Sequence, residues 1–386
     1  MKKQIRVLHV TGKMNKGGAE VMLMEMMRHK SDDIKFDFLV NLSSTCSQEE
    51  SLFEKEIRTL GGKVDYIPSQ NSSGYITYYK NFKNYLRVNG KPDIVHIHLN
   101  AKCGYISLVS KICGVKAVIS HIHANLNFGW SSPYRIAQSI ELKLQNILIN
   151  TFSDQYWGCS NEANESVFYR YNSRSINCKV INNAIDLDLY LNKEKHINDD
   201  SSIVIGNVGR IVENKNLDYL FEILNILYKK GFNFKFIFAG RIDDRGLFDR
   251  CINYAKENDF YENVLYIGEV DDVPKIMLDM DVFVAPSENE GFGMVAIEAQ
   301  AASNVCILSQ GFPNSVDVGL GTVHFLQLSS KKEWAESIIT HARKKKLLDK
   351  LVIKEKFKSK GYDIKDNISK VECYYVDIYN NLGVKK

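Results

Sequence analysis

Short apolar runs with no polar alternate face recur along this 386-residue chain, each followed by a longer amphipathic stretch, and the series starts twice. Strands that are apolar on both faces need cover on both, as parallel strands flanked by helices have. The alternation therefore predicts an α/β protein. In the first half, strands are expected at Ile5–His9, Phe36–Val40, Lys63–Ile67, Ile94–His98, Ala117–His121 and Gln155–Cys159, with helices near 18–29, 48–60, 75–89, 102–113 and 134–150. In the second, strands at Ile203–Val208, Phe234–Ala239, Val264–Ile267, Val282–Ala285, Val305–Leu308 and Thr322–Leu326 alternate with helices near 215–230, 247–258, 273–279, 293–302, 331–345 and 349–360. The polar, charged stretch Leu187–Ser202 reads as a linker. Beyond Asp366 an apolar-periodic tail (Ile368, Val371, Tyr374, Tyr375, Ile378, Tyr379) needs a surface to pack on, and the first half is the expected one.

The length exceeds the ~250 to 300 residues at which a single core stops growing, so at least two domains are expected. With 45% hydrophobic and 25% charged residues, the chain is neither disordered nor collagenous. Its eight cysteines never fall as C-x-x-C and read as inert thiols in a reducing cytosol. Arg6 and His9 interrupt the apolar stretch after the opening lysines, which excludes a signal peptide, and no window approaches the ~20 apolar residues of a membrane helix. Residues 1–190 carry 23 Lys and Arg against 17 Asp and Glu, whereas 191–386 carry 27 against 29. That first-half excess is too dilute for nucleic acid, but it suits an anionic membrane surface or a lipid-linked acceptor.

Four segments could carry chemistry. Gly17-Gly18-Ala19-Glu20 opens a helix after the first strand, where bare amides could meet an anion; a simple tight turn is the competing reading. It lacks the dinucleotide-binding fingerprint. His96 and His98, then His121 and His123, form two H-x-H pairs near strand ends. Such pairs can hold a metal, but no cysteine or carboxylate is ready to complete the shell. Sugar contact at the strand ends is preferred, with a structural role for at least two of the four. In the second half, Gly209-Arg210 and Lys215 set two cations around a strand end, where a fork and a point charge can converge on one phosphate. Glu288-Asn289-Glu290-Gly291-Phe292-Gly293-Met294-Val295 then leads into a helix that carries Glu298. Amides at Gly293, Met294 and Val295 could meet a diphosphate, while Glu290 and Glu298 accept from sugar hydroxyls. An N-cap acid and a surface glutamate is the competing reading.

Gly-Arg-x4-Lys followed by Glu-Gly-Phe-Gly-x4-Glu resembles the group 1 glycosyltransferases, the retaining nucleotide-sugar transferases of family four. The likeness runs nearly end to end: Gly17 to Glu20 resembles the first glycine loop, Asp93 to His98 the fourth strand, Cys159-Ser160 a strand ending in serine, and Val180 to Asp186 the usual Asn-Gly-Ile-Asp, with Ala184 in place of glycine. The paired histidines resemble the branch that builds capsular and exopolysaccharides. The resemblance implies the GT-B fold, two Rossmann-like doubly wound domains facing each other across a cleft. On it, 1–188 is an acceptor domain with the tail 366–386 packing back on it, and 189–365 is the nucleotide-sugar donor domain.

Carried over by residue, the likeness makes Arg210 and Lys215 the pair that neutralises the donor diphosphate, Glu290 the contact to the donor sugar and Glu298 the holder of the ribose hydroxyls. Gly17 and Gly18 approach the donor, Gly291 to Val295 line it, and the backbone from Gly268 to Val270 flanks the base. His123 is the catalytic-region histidine, with His121 its rival. The family needs no metal and no cofactor beyond the nucleotide sugar, which is expected to be UDP-linked. Asp186-Leu187-Asp188 looks like the metal-binding D-x-D of the other glycosyltransferase fold, but its place at the linker makes it a coincidence. The expected activity is retaining transfer of a hexosyl group to a hydroxyl of a glycan or lipid-linked saccharide, in the cytoplasm at the inner face of the membrane. Two alternatives share the architecture: a nucleotide-sugar 2-epimerase, which needs no acceptor, and a non-catalytic subunit, against which the four charged residues argue.

Overall fold

The computed structural model describes residues 4–15, 17–43, 51–123, 133–168, 177–194, 202–342 and 347–384. The chain divides into two compact units, Met1–Ile185 with Ile364–Lys386, and Asp186–Asp363. Counted over these bounds, the first unit holds 27 Lys and Arg against 18 Asp and Glu and the second 23 against 28, so their formal charges are +9 and −5.

The first unit contains a seven-stranded sheet: β1 (Ile5–Thr11), β2 (Ile34–Leu42), β3 (Val64–Pro68), β4 (Ile94–Ile97), β5 (Ala117–Ile122), β6 (Gln155–Gly158) and β7 (Cys178–Val180). The strand order is β3-β2-β1-β4-β5-β6-β7 and every pairing is parallel. Six of the seven were expected. β7 was not, nor was the helix Asn161–Val167, whose N-cap Ser160 accepts from the Ala163 amide. β4 stops at Ile97 and β5 continues to Ile122, so His98 and His123 are the first residues past their strands while His121 lies within one.

The tail forms the helix Ile364–Val384. Its buried residues Ile364, Ile368, Val371, Tyr375 and Ile378 recur at helical spacing and join the core of the first unit with Phe36, Phe38 and Trp157. Asn367 Nδ2 donates to the Asn182 carbonyl at 3.0 Å, and the Ile364 amide to the Ile185 carbonyl at 3.0 Å.

The second unit contains a six-stranded sheet: β8 (Ile203–Val208), β9 (Phe234–Ala239), β10 (Val264–Tyr266), β11 (Val282–Ala285), β12 (Val305–Ser309) and β13 (Val323–Leu326). Its order, β10-β9-β8-β11-β12-β13, is again wholly parallel. Phe236 and Phe238, two residues apart on one face, stack with centroids 5.3 Å apart, and Phe221 meets both edge-on. At the end of β9, Gly240 has φ +144°, and a Cβ there would lie 1.8 Å from the Gly209 carbonyl. Only glycine lets the exits of β8 and β9 approach so closely. The expected linker includes a helical turn at Asp188–Leu191, assigned to the second unit; residues 195–201 lie outside the described part.

Candidate active site

In an open parallel sheet, connections leave the two central strands in opposite directions and a crevice forms past their carboxyl ends. The second unit reverses its order between β8 and β11. The candidate donor residues come from the loops leaving these two strands.

From β8 the chain passes Gly209 and Arg210 and makes a 3-10 turn at Glu213–Lys215, closed by Asn216 at φ +55°. From β11 it passes Ser287 and Glu290 to Gly293. The Lys215 ammonium pairs with Glu290 Oε1, and Ser287 Oγ donates to the same oxygen at 2.9 Å. Backbone bonds hold both loops: the Glu288 amide donates to the Asn214 carbonyl at 2.9 Å and the Glu290 amide to the Gly311 carbonyl at 2.9 Å. Two residues 75 apart in sequence thus meet as an ion pair whose side chains are largely withdrawn from water.

Arg210 is more exposed, and its guanidinium bonds Asp243 Oδ2 at 3.1 Å. Arg241, bonded to the other oxygen at 2.5 Å, is the main reason the Asp243 carboxyl sits below its usual range, with Arg210 adding to it. Arg210 and Lys215 are therefore held by different carboxylates on adjoining loops.

The helix Met294–Ala301 opens from Gly293, whose φ is +86° and where a Cβ would press to 2.5 Å on Phe312. No side chain caps this end, so its first amides keep the partial positive charge of a helix N-terminus. Met294, Val295 and Glu298 are half-buried and Gly291 is exposed. Phe292 turns its ring inward onto Tyr362, with centroids 5.7 Å apart, which leaves its backbone to line a ligand. Gly268, at φ +81°, accepts from the Gly240 amide at 2.9 Å, so the half-buried Val270 follows a loop tied to the end of β9.

Gly17, Gly18, His121 and His123 belong to the first unit. Gly17 is the N-cap of the helix Gly18–His29, in an extended conformation, and Gly18 is exposed. The Glu20 carboxylate folds back over Gly17, where a Cβ would come within 2.2 Å of it. This unit reverses its order between β1 and β4, and there the four expected histidines are joined by a fifth, His9. His9 and His96 are register partners on β1 and β4. His121 is fully buried inside β5, whereas His123, just past it, is half-buried with its amide bonded to Asn100 Oδ1 at 2.8 Å. Burial pushes the His9 imidazole down to about 3 and that of His123 to about 4. It also holds His96, His98 and His121 well below the ordinary range, helped by neighbouring imidazoles. The five rings are neutral at physiological pH.

The D-x-D segment makes a local turn, in which Asp186 Oδ1 accepts from the Asp188 amide at 3.0 Å. Sequence reasoning missed Ser287, Asp243 and His9. A serine three residues before Glu290 and an acid near the end of β9 carry no signal until the strand order is known.

A family model, glycosyl transferases group 1, matches residues 191–356. The chain is 30% identical over 387 residues to EpsF of Bacillus subtilis (strain 168), a glycosyltransferase by name, covering 98% of this chain and 97% of that one. It is 26% identical over 313 residues to CapH of Staphylococcus aureus, a capsular polysaccharide biosynthesis glycosyltransferase, covering 81% and 83%. The chain belongs to the group 1 glycosyltransferases, and CapH is by name of the family's polysaccharide branch. Among solved structures, Anabaena HepE in complex with UDP superposes with a TM-score of 0.67 at 16% identity, over 98% of both chains. The two parallel-sheet domains have the GT-B fold.

Proposed function

We propose that this glycosyltransferase moves a hexosyl group, with retention, from a UDP-linked sugar to a hydroxyl of a glycan or lipid-linked saccharide in capsule or exopolysaccharide synthesis. The observation that carries the donor assignment is the convergence of Lys215, Glu290 and Ser287 at the switch point of the second unit, beside an uncapped helix N-terminus. A site that pairs its own cation with its own carboxylate has both partners in place for a diphosphate and a sugar.

In this reading, Lys215 leaves Glu290 for the diphosphate, Arg210 reaches the same phosphates, and the amides after Gly293 complete a preorganised positive field. Glu290 is then free to accept from donor-sugar hydroxyls, Glu298 from the ribose, and the backbone from Gly268 to Val270 flanks the base. As the bond from the sugar's anomeric carbon to the diphosphate breaks, the acceptor oxygen bonds that carbon on the same face. The acceptor's proton passes to the departing phosphate oxygen. The fixed cations absorb the leaving charge, so no divalent metal is needed at the diphosphate. UDP is favoured as the carrier because a protein of the same fold, HepE, was solved with it.

The first unit is also the one proposed to meet the membrane. On the helix Pro133–Phe152, Ile140, Leu144 and Ile147 recur at helical spacing and are 53%, 59% and 53% exposed. An apolar stripe on a unit of charge +9 fits an anionic leaflet. Among the described residues, no helix is long and apolar enough to cross a membrane.

The transferase reading is tested by thermal unfolding against a panel of nucleotide sugars, where a ligand at 100 times its Kd adds about 2.7 kcal/mol. The best stabiliser is then given to the enzyme with candidate acceptors, without added magnesium, and the product's anomeric configuration is read by NMR. Stabilisation by UDP and one UDP-sugar with a retained anomer is expected. No response across the panel overturns the donor site, an inverted product overturns retention, and an altered free sugar without acceptor indicates an epimerase.

A further inference from the structure

The imidazoles of the first unit form more than a sugar contact requires. His9 Nδ1 lies 3.0 Å from His98 Nε2, and His98 Nδ1 lies 2.9 Å from His123 Nε2. His96 Nε2 lies 3.1 Å from His121 Nδ1, and His96 Nδ1 meets the Tyr375 hydroxyl at 2.6 Å. These contacts engage seven of the ten ring nitrogens. The remaining three, His9 Nε2, His121 Nε2 and His123 Nδ1, are buried without a partner. A buried polar nitrogen left unpaired is costly, and three in one cluster call for an occupant or a role.

One ring nitrogen from each of His98, His121 and His123 lies within 4.8 Å of the other two. Ligands about 2.0 Å from a tetrahedral ion are separated by roughly 3.3 Å, so the 2.9 Å contact between His98 and His123 needs little expansion to admit one. We propose that His98, His121 and His123 form a three-histidine site for a borderline divalent transition ion of the zinc type, its fourth position open to water beside His123.

The surroundings are those a ligating histidine needs. If Nδ1 of His98 binds the ion, its Nε2 is held by His9; if Nε2 of His121 binds, its Nδ1 is held by His96, which Tyr375 holds in turn. Such outer bonds fix ring orientation and tautomer. Asn100, itself at φ +51°, anchors the His123 backbone. The ligands are already neutral, and all-nitrogen coordination suits zinc, cobalt or nickel over magnesium or calcium. A second triad, His9, His96 and His98, is as compact, but His96 would have to give up Tyr375 or His121 to join it. The site departs from the expectation that these pairs contact sugar and not metal: strand pairing supplies the third ligand that the spacing of either pair lacks. It does not rest on the transferase reading, and no step of sugar transfer is routed through it.

The test uses the full chain, stripped with a chelator and dialysed, then titrated with Co2+. Expected is one cobalt per chain with the strong visible bands of four-coordinate geometry, displaced by Zn2+. His123→Gln, at the half-buried edge, should weaken binding by at least 100-fold, and His96→Gln, which leaves the ligands in place, by about 10- to 100-fold. Circular dichroism confirms folding of each variant. His341→Gln, which breaks the stacked His324–His341 pair of the second unit, should leave the bands unchanged. The absence of visible bands with wild-type protein overturns the proposal. So does binding by folded His123→Gln equal to wild type, or loss of the bands in His341→Gln.

Discussion

The two units put their candidate sites at the same place in the same topology, yet build them from opposite materials. In the second, the strands beside the switch point end before any ionisable residue, and the loops beyond supply Arg210, Lys215 and Glu290 as paired charges. In the first, the polar groups lie on or directly after the strands, as five neutral imidazoles packed among Phe36, Phe38, Trp157 and Tyr375. Strand order supplies the crevice; the depth at which polar residues begin decides its chemistry. Loop charges can exchange their partners for a ligand's. In the buried imidazole network the outer bonds, from His9, His96 and Tyr375, stay in place, so their disruption is felt as stability.

The largest effect that would break this comparison is loss of the C-terminal helix. Ending the chain before Ile364 removes five buried apolar side chains, each stabilising by about 1.5–3 kcal/mol when fully buried. Their sum rivals the ~5–15 kcal/mol by which a domain is stable. Hydrogen exchange should then show β1, β4 and β5 unprotected while β8, β9 and β11 stay protected. Protection retained in the first sheet would mean that the helix is an accessory to that core.

Next in size is the exchangeable ion pair. Lys215→Ala should lower kcat about 10²- to 10³-fold, the loss seen when one preorganised charge-stabilising donor is removed. Because Glu290 keeps its hydrogen bond from Ser287 Oγ when the lysine is removed, melting should shift little. Arg210→Ala should follow with a smaller loss, since the exposed guanidinium is held less firmly. Full turnover in both variants would sink the diphosphate assignment.

Tyr375→Phe probes the other side of the comparison. It removes one hydroxyl and leaves His96 Nδ1 buried and unpaired, at a cost of about 1–3 kcal/mol. Denaturant melts followed by hydrogen exchange should show that loss in the first unit alone. An equal shift in the second unit would show that the two do not unfold independently.

Much of this architecture can be read in the sequence, and the exceptions have physical causes. The strands Ile203–Val208, Phe234–Ala239 and Val282–Ala285 emerge at their expected bounds because unbroken apolar runs between turn residues leave few alternatives. β7 is three residues long and includes a lysine, too little for any periodicity. The helix Asn161–Val167 has only its Ser160 cap to announce it, since its composition is polar. In the site, the motif residues were visible as a pattern, but Ser287 and Asp243 become meaningful only once parallel pairing brings their loops together. His9 sits four strand residues into an ordinary core strand, and nothing short of the β1–β4 register joins it to His96.

The smallest expected effect on stability, and the one that most sharpens the contrast in charge, concerns the exposed stripe of the first unit. Ile140, Leu144 and Ile147 already face water, so replacing all three by serine removes no core contact and should change stability within about 0.5 kcal/mol per site. On an anionic vesicle the same side chains would leave water, and each would lose part of the ~1.5–3 kcal/mol that full burial yields. The triple variant should therefore sediment less with phosphatidylglycerol vesicles while melting like wild type. Raising salt should weaken binding of both, because the +9 charge acts through a screened field, but only the wild type keeps a salt-resistant remainder from its apolar stripe. If both bind equally at every salt concentration, charge alone holds the unit to the membrane. If instead the wild type is a dimer by analytical ultracentrifugation and the variant a monomer, the stripe is covered by a second copy and the membrane assignment fails.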